Sequence, residues 1–212
     1  MNRINTLSDL LMEELAELFN IEYQLVQALP KMAQACQSSA LKTVLEGHGG
    51  VTKIQAGRLQ DIFSNIGQNP QAVICRAMKD FIGEGEYVMK ELEKSTIRDT
   101  AIISVMQAVE KYEITGYRRA CEHAADLGHT RIVELLSETL IEERAMNLHL
   151  NELAQLMIND QAIDPSPKAG SGGFYIPKGK FNRNRIKRKR NNTDLSRFIS
   201  EGNPNSQDPQ ER

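Results

Sequence analysis

Residues 102–120 read IISVMQAVEKYEITGYRRA. Ile102, Met106, Val109 and Ala120 share one face when the chain is wound at 3.6 residues per turn, which predicts an amphipathic helix. Glu113 falls on that face, seven residues after Met106 and four after Val109, and Glu110 sits at its edge one turn away. The helix should span about 97–127, stopped by Gly128, with a carboxylate in line with its apolar side chains.

Three other segments repeat the pattern. Over 6–37 the stripe is Leu11, Leu15, Leu18, Leu25 and Leu29, with Glu22 at heptad spacing between Leu18 and Leu25. Pro30 lies inside it, has no N–H to give and is expected to kink or loosen the helix there. Over 39–66 the stripe is Leu41, Leu45, Leu59 and Ile62, with His48, Thr52 and Gln55 between. From 130 to about 159 it is Ile132, Leu136, Leu150 and Leu153, with Glu143 seven residues from both Leu136 and Leu150. The less regular stretch 71–94 has room for two short helices divided near Gly83. Four long amphipathic helices with short links inside each pair and one long central connection define an all-α, ferritin-like four-helix bundle, its crossover segment lying between helices 2 and 3.

Charge marks out the rest. Residues 1–164 hold 15 Lys and Arg against 24 Asp and Glu, a net of −9, while residues 165–193 hold 9 basic side chains and no acid. The expected organisation is a bundle over 1–160, a Pro/Gly/Ser-containing linker over 161–177 and a largely disordered basic tail over 178–212. The tail carries 8 basic residues within 178–190, including Lys187, Arg188, Lys189 and Arg190. These suit sequence-independent contact with nucleic-acid phosphates, or docking on an acidic partner. No stretch is apolar enough for a membrane span, and the acids near the N-terminus do not suit a signal peptide, so a cytoplasmic protein is expected. Three scattered cysteines, Cys36, Cys75 and Cys121, fit neither a disulfide framework nor a CxxC zinc site and read as small buried hydrophobes. The chain has no Trp and only 5% aromatics, so a stacking surface for single-stranded nucleic acid is not expected.

The polar residues on the stripes carry the functional reading. Glu22, Glu113 and Glu143 fall near mid-helix, so they can meet at one level of the bundle. Buried carboxylates that face one another repel unless protons or a cation intervene. Inward carboxylates with an imidazole, here His48, are how bundles of this kind hold iron or manganese. The same acids can also be flank residues paired with Lys or Arg, and His48, Thr52 and Gln55 can be core hydrogen bonders.

The sequence also resembles a known family. Glu14-Leu15, Leu18-Phe19, Glu22, Gln24-Leu25 and Ala28-Leu29-Pro30-Lys31-Met32-Ala33 resemble the first helix of the YciF-type ferritin-like proteins. Cys75, Ala77-Met78 and Glu84-Gly85-Glu86 are similar to that family's crossover. Arg98-Asp99, Gln107, Val109-Glu110, Tyr112-Glu113-Ile114 and Tyr117 are similar to its third helix. Leu127-Gly128-His129, Leu135-Leu136, Glu138-Thr139-Leu140, Glu142-Glu143 and Leu153-Ala154 are similar to its fourth. The resemblance implies a stress-associated, dimeric bacterial bundle of poorly defined activity, with metal ligands at Glu22, Glu110, Glu113 and Glu143. Helix two departs from the family pattern: it reads His48-Gly49-Gly50-Val51-Thr52 and has no acid between Glu46 and Asp61. Asn147 stands where the family commonly has Asp. A degenerate iron or manganese site, mononuclear, weakly held or absent, is therefore expected. A non-enzymatic dimeric scaffold with a nucleic-acid-binding tail is the alternative. The four glycines of helix two, Gly47, Gly49, Gly50 and Gly57, imply close helix approach or a local opening of the bundle.

Overall fold

The computed structural model describes residues 4–70 and 73–163, with side chains as far as 157. Its described part consists of five helices and no strands: α1 (Leu7–Ala35), α2 (Ser39–Asn65), α3 (Arg76–Glu91), α4 (Thr96–Asp126) and α5 (Thr130–Ile163). The tail residues Lys187, Arg188, Lys189 and Arg190, and all but the first residues of the expected linker, lie outside the described residues.

Local chemistry sets the helix ends. At α1 the Thr6 hydroxyl accepts from the Asp9 N–H (3.1 Å), and the Asp9 carboxylate accepts from the Thr6 N–H (3.0 Å). This reciprocal box satisfies donors that a helix start leaves open. Ser38 and Ser95 cap α2 and α4 in the same sense, and the Cys75 thiol caps α3. Gly128 turns the chain at φ +74°, where a side chain would be strained, and so ends α4.

Packing then follows the stripes. Leu15, Leu25, Leu29, Leu41, Leu45, Ile62, Ile102, Met106, Val109, Ala120 and Leu150 are fully buried. α3 lies over α1 and α4 as the crossover. A buried pair, Arg98 and Asp99, fixes the connections at this end. Asp99 accepts from the Gln37 and Ser38 N–H groups at 2.8 and 2.7 Å, so the α1–α2 turn hangs on α4. Arg98 donates to the Ala35 carbonyl at 2.5 Å and to the Leu92 carbonyl at 3.3 Å, tying the ends of α1 and α3 to the same point. Ionised partners make these the stronger class of hydrogen bond. No helix among the described residues is long and apolar enough to cross a membrane.

Several expectations are corrected. The crossover is one helix rather than two: α3 runs unbroken through Gly83 and Gly85. Gly85 packs against α1: a Cβ there would stand 2.4 Å from the Met32 methyl carbon and would oblige that flexible side chain to shift. α1, by contrast, is the single segment expected, with Pro30 inside it. The glycines of α2 are not contact points. Gly47, Gly50 and Gly57 have nothing within 4 Å of an added Cβ, and Gly49 meets Leu29 only at an ordinary 3.7 Å. Each position therefore has room for a methyl group. Cys36 and Cys75 are buried as expected, but Cys121 is half-exposed, beside Ser137 on the outer flank of α4.

Candidate metal centre

The stripe acids point inward and meet. Glu22 on α1, His48 on α2, Glu110 and Glu113 on α4, and Glu143 on α5 are all buried, the four glutamates at 0–1% exposure. Ligand atoms of His48, Glu110, Glu113 and Glu143 lie within 4.8 Å of one another. Helical period explains the set. Glu110 and Glu113 occupy adjacent turns of one face, while Glu143 and His48 come from facing helices at the same depth. Glu22 borders this group and raises the electrostatic energy of Glu113. It stands apart because the fully buried Tyr117 hydroxyl donates to its Oε1.

Few donors serve these acids. Gln55 Nε2 donates to Glu143 Oε1. Both oxygens of Glu110 and of Glu113, Oε2 of Glu22 and of Glu143, Oε1 of Gln55, and His48 Nε2 find no hydrogen-bond partner among the described residues. His48 Nε2 lies 3.1 Å from Glu110 Oε1 without the alignment of a hydrogen bond. No Lys or Arg pairs with Glu22, Glu110, Glu113 or Glu143 among the described residues, so the flank-residue alternative fails. A buried acceptor without a donor is costly, and most are satisfied in folded proteins. Here they are concentrated at one point.

The electrostatics follow from dryness and crowding. Burial raises the pKa of Glu22, Glu113 and Glu143 well above the ordinary carboxylate range, and neighbouring carboxylates raise it further. Glu110 is pushed up to about 7, chiefly by burial. Burial lowers the pKa of His48, which keeps the imidazole neutral with a lone pair to offer. Oxygen donors with one neutral imidazole suit Mn(II) or Fe(II). The donor set therefore fits a divalent first-row cation, and protons can take its place.

Three residues around the cluster had roles that the sequence reading did not assign. Tyr117, four residues after Glu113 and seven after Glu110, shared their face and carried the signal. The Arg58–Glu142 pair, which touches Gln55, lies off every apolar stripe and carried none.

The raised carboxyl pKa values fix a sign. The native state holds protons that the unfolded chain releases near its ordinary carboxylate pKa. Metal-free protein therefore has this stabilisation in full only below the ordinary carboxylate pKa and loses it as pH rises from there through about 7. Melting of metal-free protein between about pH 5 and about pH 8 should show Tm falling by at least ~3 °C, the shift that ~1 kcal/mol gives a chain of this size. A flat or rising Tm over that range would contradict the buried, proton-holding cluster.

With the geometry in hand, comparison with known proteins places the chain. Residues 6–163 match the family described as a domain of unknown function, DUF892. The chain is 32% identical over 160 residues to Protein YciF of Escherichia coli strain K12, covering 75% of this chain and 96% of that one. The crystal structure of that stress protein superposes with a TM-score of 0.71 over 74% of this chain and 99% of its own. YcfI of Rhodopseudomonas palustris, 37% identical, gives 0.69 over 71% and 96%. A ferritin-like, diiron-carboxylate protein of Bacillus anthracis gives 0.57 at 19% identity over 71% and 99%, a likeness of fold alone. Spanned by that family across its whole bundle, and nearly a third identical to E. coli YciF, the chain belongs to the DUF892 family.

Proposed function

We propose that this protein is a stress-associated, ferritin-like metal-binding bundle that holds one Fe(II) or Mn(II) ion per chain. His48, Glu110, Glu113 and Glu143 would ligate the ion. The observation that carries this reading is the convergence of unpartnered buried acceptors from three helices at one point. The E. coli relative is described as a stress protein, and the B. anthracis neighbour as a diiron-carboxylate protein. Both descriptions agree with the proposal.

A single ion is favoured over two by the side chains around the cluster. Gln55 brings a neutral amide to Glu143, and Tyr117 engages one oxygen of Glu22. A second ion would need those carboxylate oxygens and a further negative charge from α2, which supplies none near His48. When bound, iron or manganese would supply redox chemistry towards peroxide or dioxygen. The chain's own contribution is to exclude water, to hold the His48 lone pair and three carboxylates at one depth, and to fix Glu22 through Tyr117.

Reconstitution of the metal-stripped, full-length protein should give about one Mn(II) per chain at neutral pH, and Glu113→Ala should bring this below ~0.2. Wild-type occupancy below that level, or no loss in the variant, would reject the site.

A second reading concerns the tail. Its 8 basic residues within 178–190, Lys187, Arg188, Lys189 and Arg190 among them, favour sequence-independent association with nucleic acid by a homodimer of this chain. A gel-shift series at rising salt is expected to show DNA binding that weakens steeply and disappears on deletion of residues 169–212. Undiminished binding after that deletion would reject it.

A further inference from the structure

Two surface features come near the buried cluster. One is a crevice between α1 and α4, bordered by Glu14, Glu17, Leu18, Ile21, Tyr112 and Gly116. Its floor is apolar: Leu18 and Ile21 are buried, and Leu18 stands 3.1 Å from where a Cβ on Gly116 would lie. An ion passing the rim of Glu14, Glu17, Tyr112 and Arg119 would then meet the hydrocarbon of Leu18 and Ile21.

The other feature is polar throughout and lies between α2 and α5. Glu138 is exposed, Glu142 keeps a third of its side chain in solvent, and Glu143 is fully buried. Arg58 links the first two. Its Nε is 3.2 Å from Glu138 Oε2, and its Nη1 and Nη2 donate to Glu142 at 2.5 and 2.7 Å. Gln55 Nε2 bridges Glu142 Oε2, at 3.1 Å, and Glu143 Oε1. Beyond this bridge, Gln55 Oε1 and Glu143 Oε2 are buried acceptors without a partner. Carboxylates, linked by Arg58 and Gln55, thus step from solvent to the cluster, and two oxygens at the inner end have no donor.

We infer that divalent cations reach the buried cluster between α2 and α5, with Glu142 as the transit carboxylate and Arg58 as the counter-ion that the incoming cation displaces. This rests on the metal-binding reading above. Arg58 grips both oxygens of Glu142 and so holds that carboxylate at the outer end of the path. An arriving cation takes over the Glu142 charge, and Arg58 keeps a partner in Glu138, which it already touches. Gln55 then offers an amide oxygen, and Glu143 the first carboxylate of the cluster. A residue that only passes the ion inward changes the rates of arrival and departure alike and leaves the equilibrium where it was.

Co(II) uptake by metal-stripped, full-length protein, followed by stopped-flow absorbance with calorimetric titration alongside, separates these properties. Glu142→Gln should slow association and dissociation together by about tenfold, within the range of charge-steered encounters, at unchanged Kd and stoichiometry. Arg58→Met should accelerate both by a similar factor, and it carries the test alone should Glu142→Gln fail to fold. Wild-type rates in both variants would place the route elsewhere while leaving the metal site intact. A lost ion or a weakened Kd in Glu142→Gln would make Glu142 a ligand and overturn the transit role. A wild-type protein that takes up no Co(II) would remove both this inference and the reading beneath it.

Discussion

Mutual repulsion among carboxyl groups in a dry interior is the constraint around which this bundle is organised. Glu22, Glu110, Glu113 and Glu143 are withdrawn from water together, and no basic side chain neutralises them among the described residues. Such an arrangement is stable only when positive charge enters with it, as protons or as a cation. Proton uptake by Glu110 and its neighbours gives a closed, metal-free state. On the proposed reading a divalent ion would give the other, releasing protons as it binds. The same property that makes the cluster a stability liability would make it a binding site.

The scaffold is stiff where the cluster needs it. The Leu and Ile stripes close above and below the polar level, so the carboxyls are held by neighbours that cannot hydrate them. At one end Arg98 and Asp99 tie the α1–α2 and α3–α4 connections to α4, the helix that supplies Glu110 and Glu113. Near mid-bundle, Tyr117 and Gln55 each direct a donor at one carboxylate, which sets orientation without adding charge. α2 differs in kind. Its glycines pack against almost nothing, and its contribution near the cluster is an imidazole and an amide rather than an acid. The helix that brings no acid to the cluster is also the one whose Gln55 and Arg58 reach out to Glu142 near the surface.

Much of this was legible because period and depth are properties of a single strand of sequence. Leu25, Met106 and Leu150 announce buried faces, and Glu22, Glu113 and Glu143 stand out against them at heptad spacing. What pairs with what depends on how helices are rotated and shifted against one another, which periodicity does not encode. Gln55 could be placed in the core, but not against Glu143. Tyr117 could be placed beside Glu113, but not on Glu22. Arg58 and Glu142, on flanks, gave no warning at all. The crossover was misread for a local reason: Gly83 looks like a break, whereas α3 continues through it and on through Gly85, which packs against Met32. The glycines of α2 misled in the opposite direction, suggesting contact where there is open space.

The claim on which all else depends is that one cation is held by side chains of three different helices inside the bundle. Anomalous diffraction above and below the manganese absorption edge, from crystals of the full-length protein grown with Mn(II), tests it most directly. A single interior peak in contact with His48, Glu110, Glu113 and Glu143 is the predicted result. Anomalous density confined to surface acids, with those four side chains bonded only to one another or to water, would contradict it.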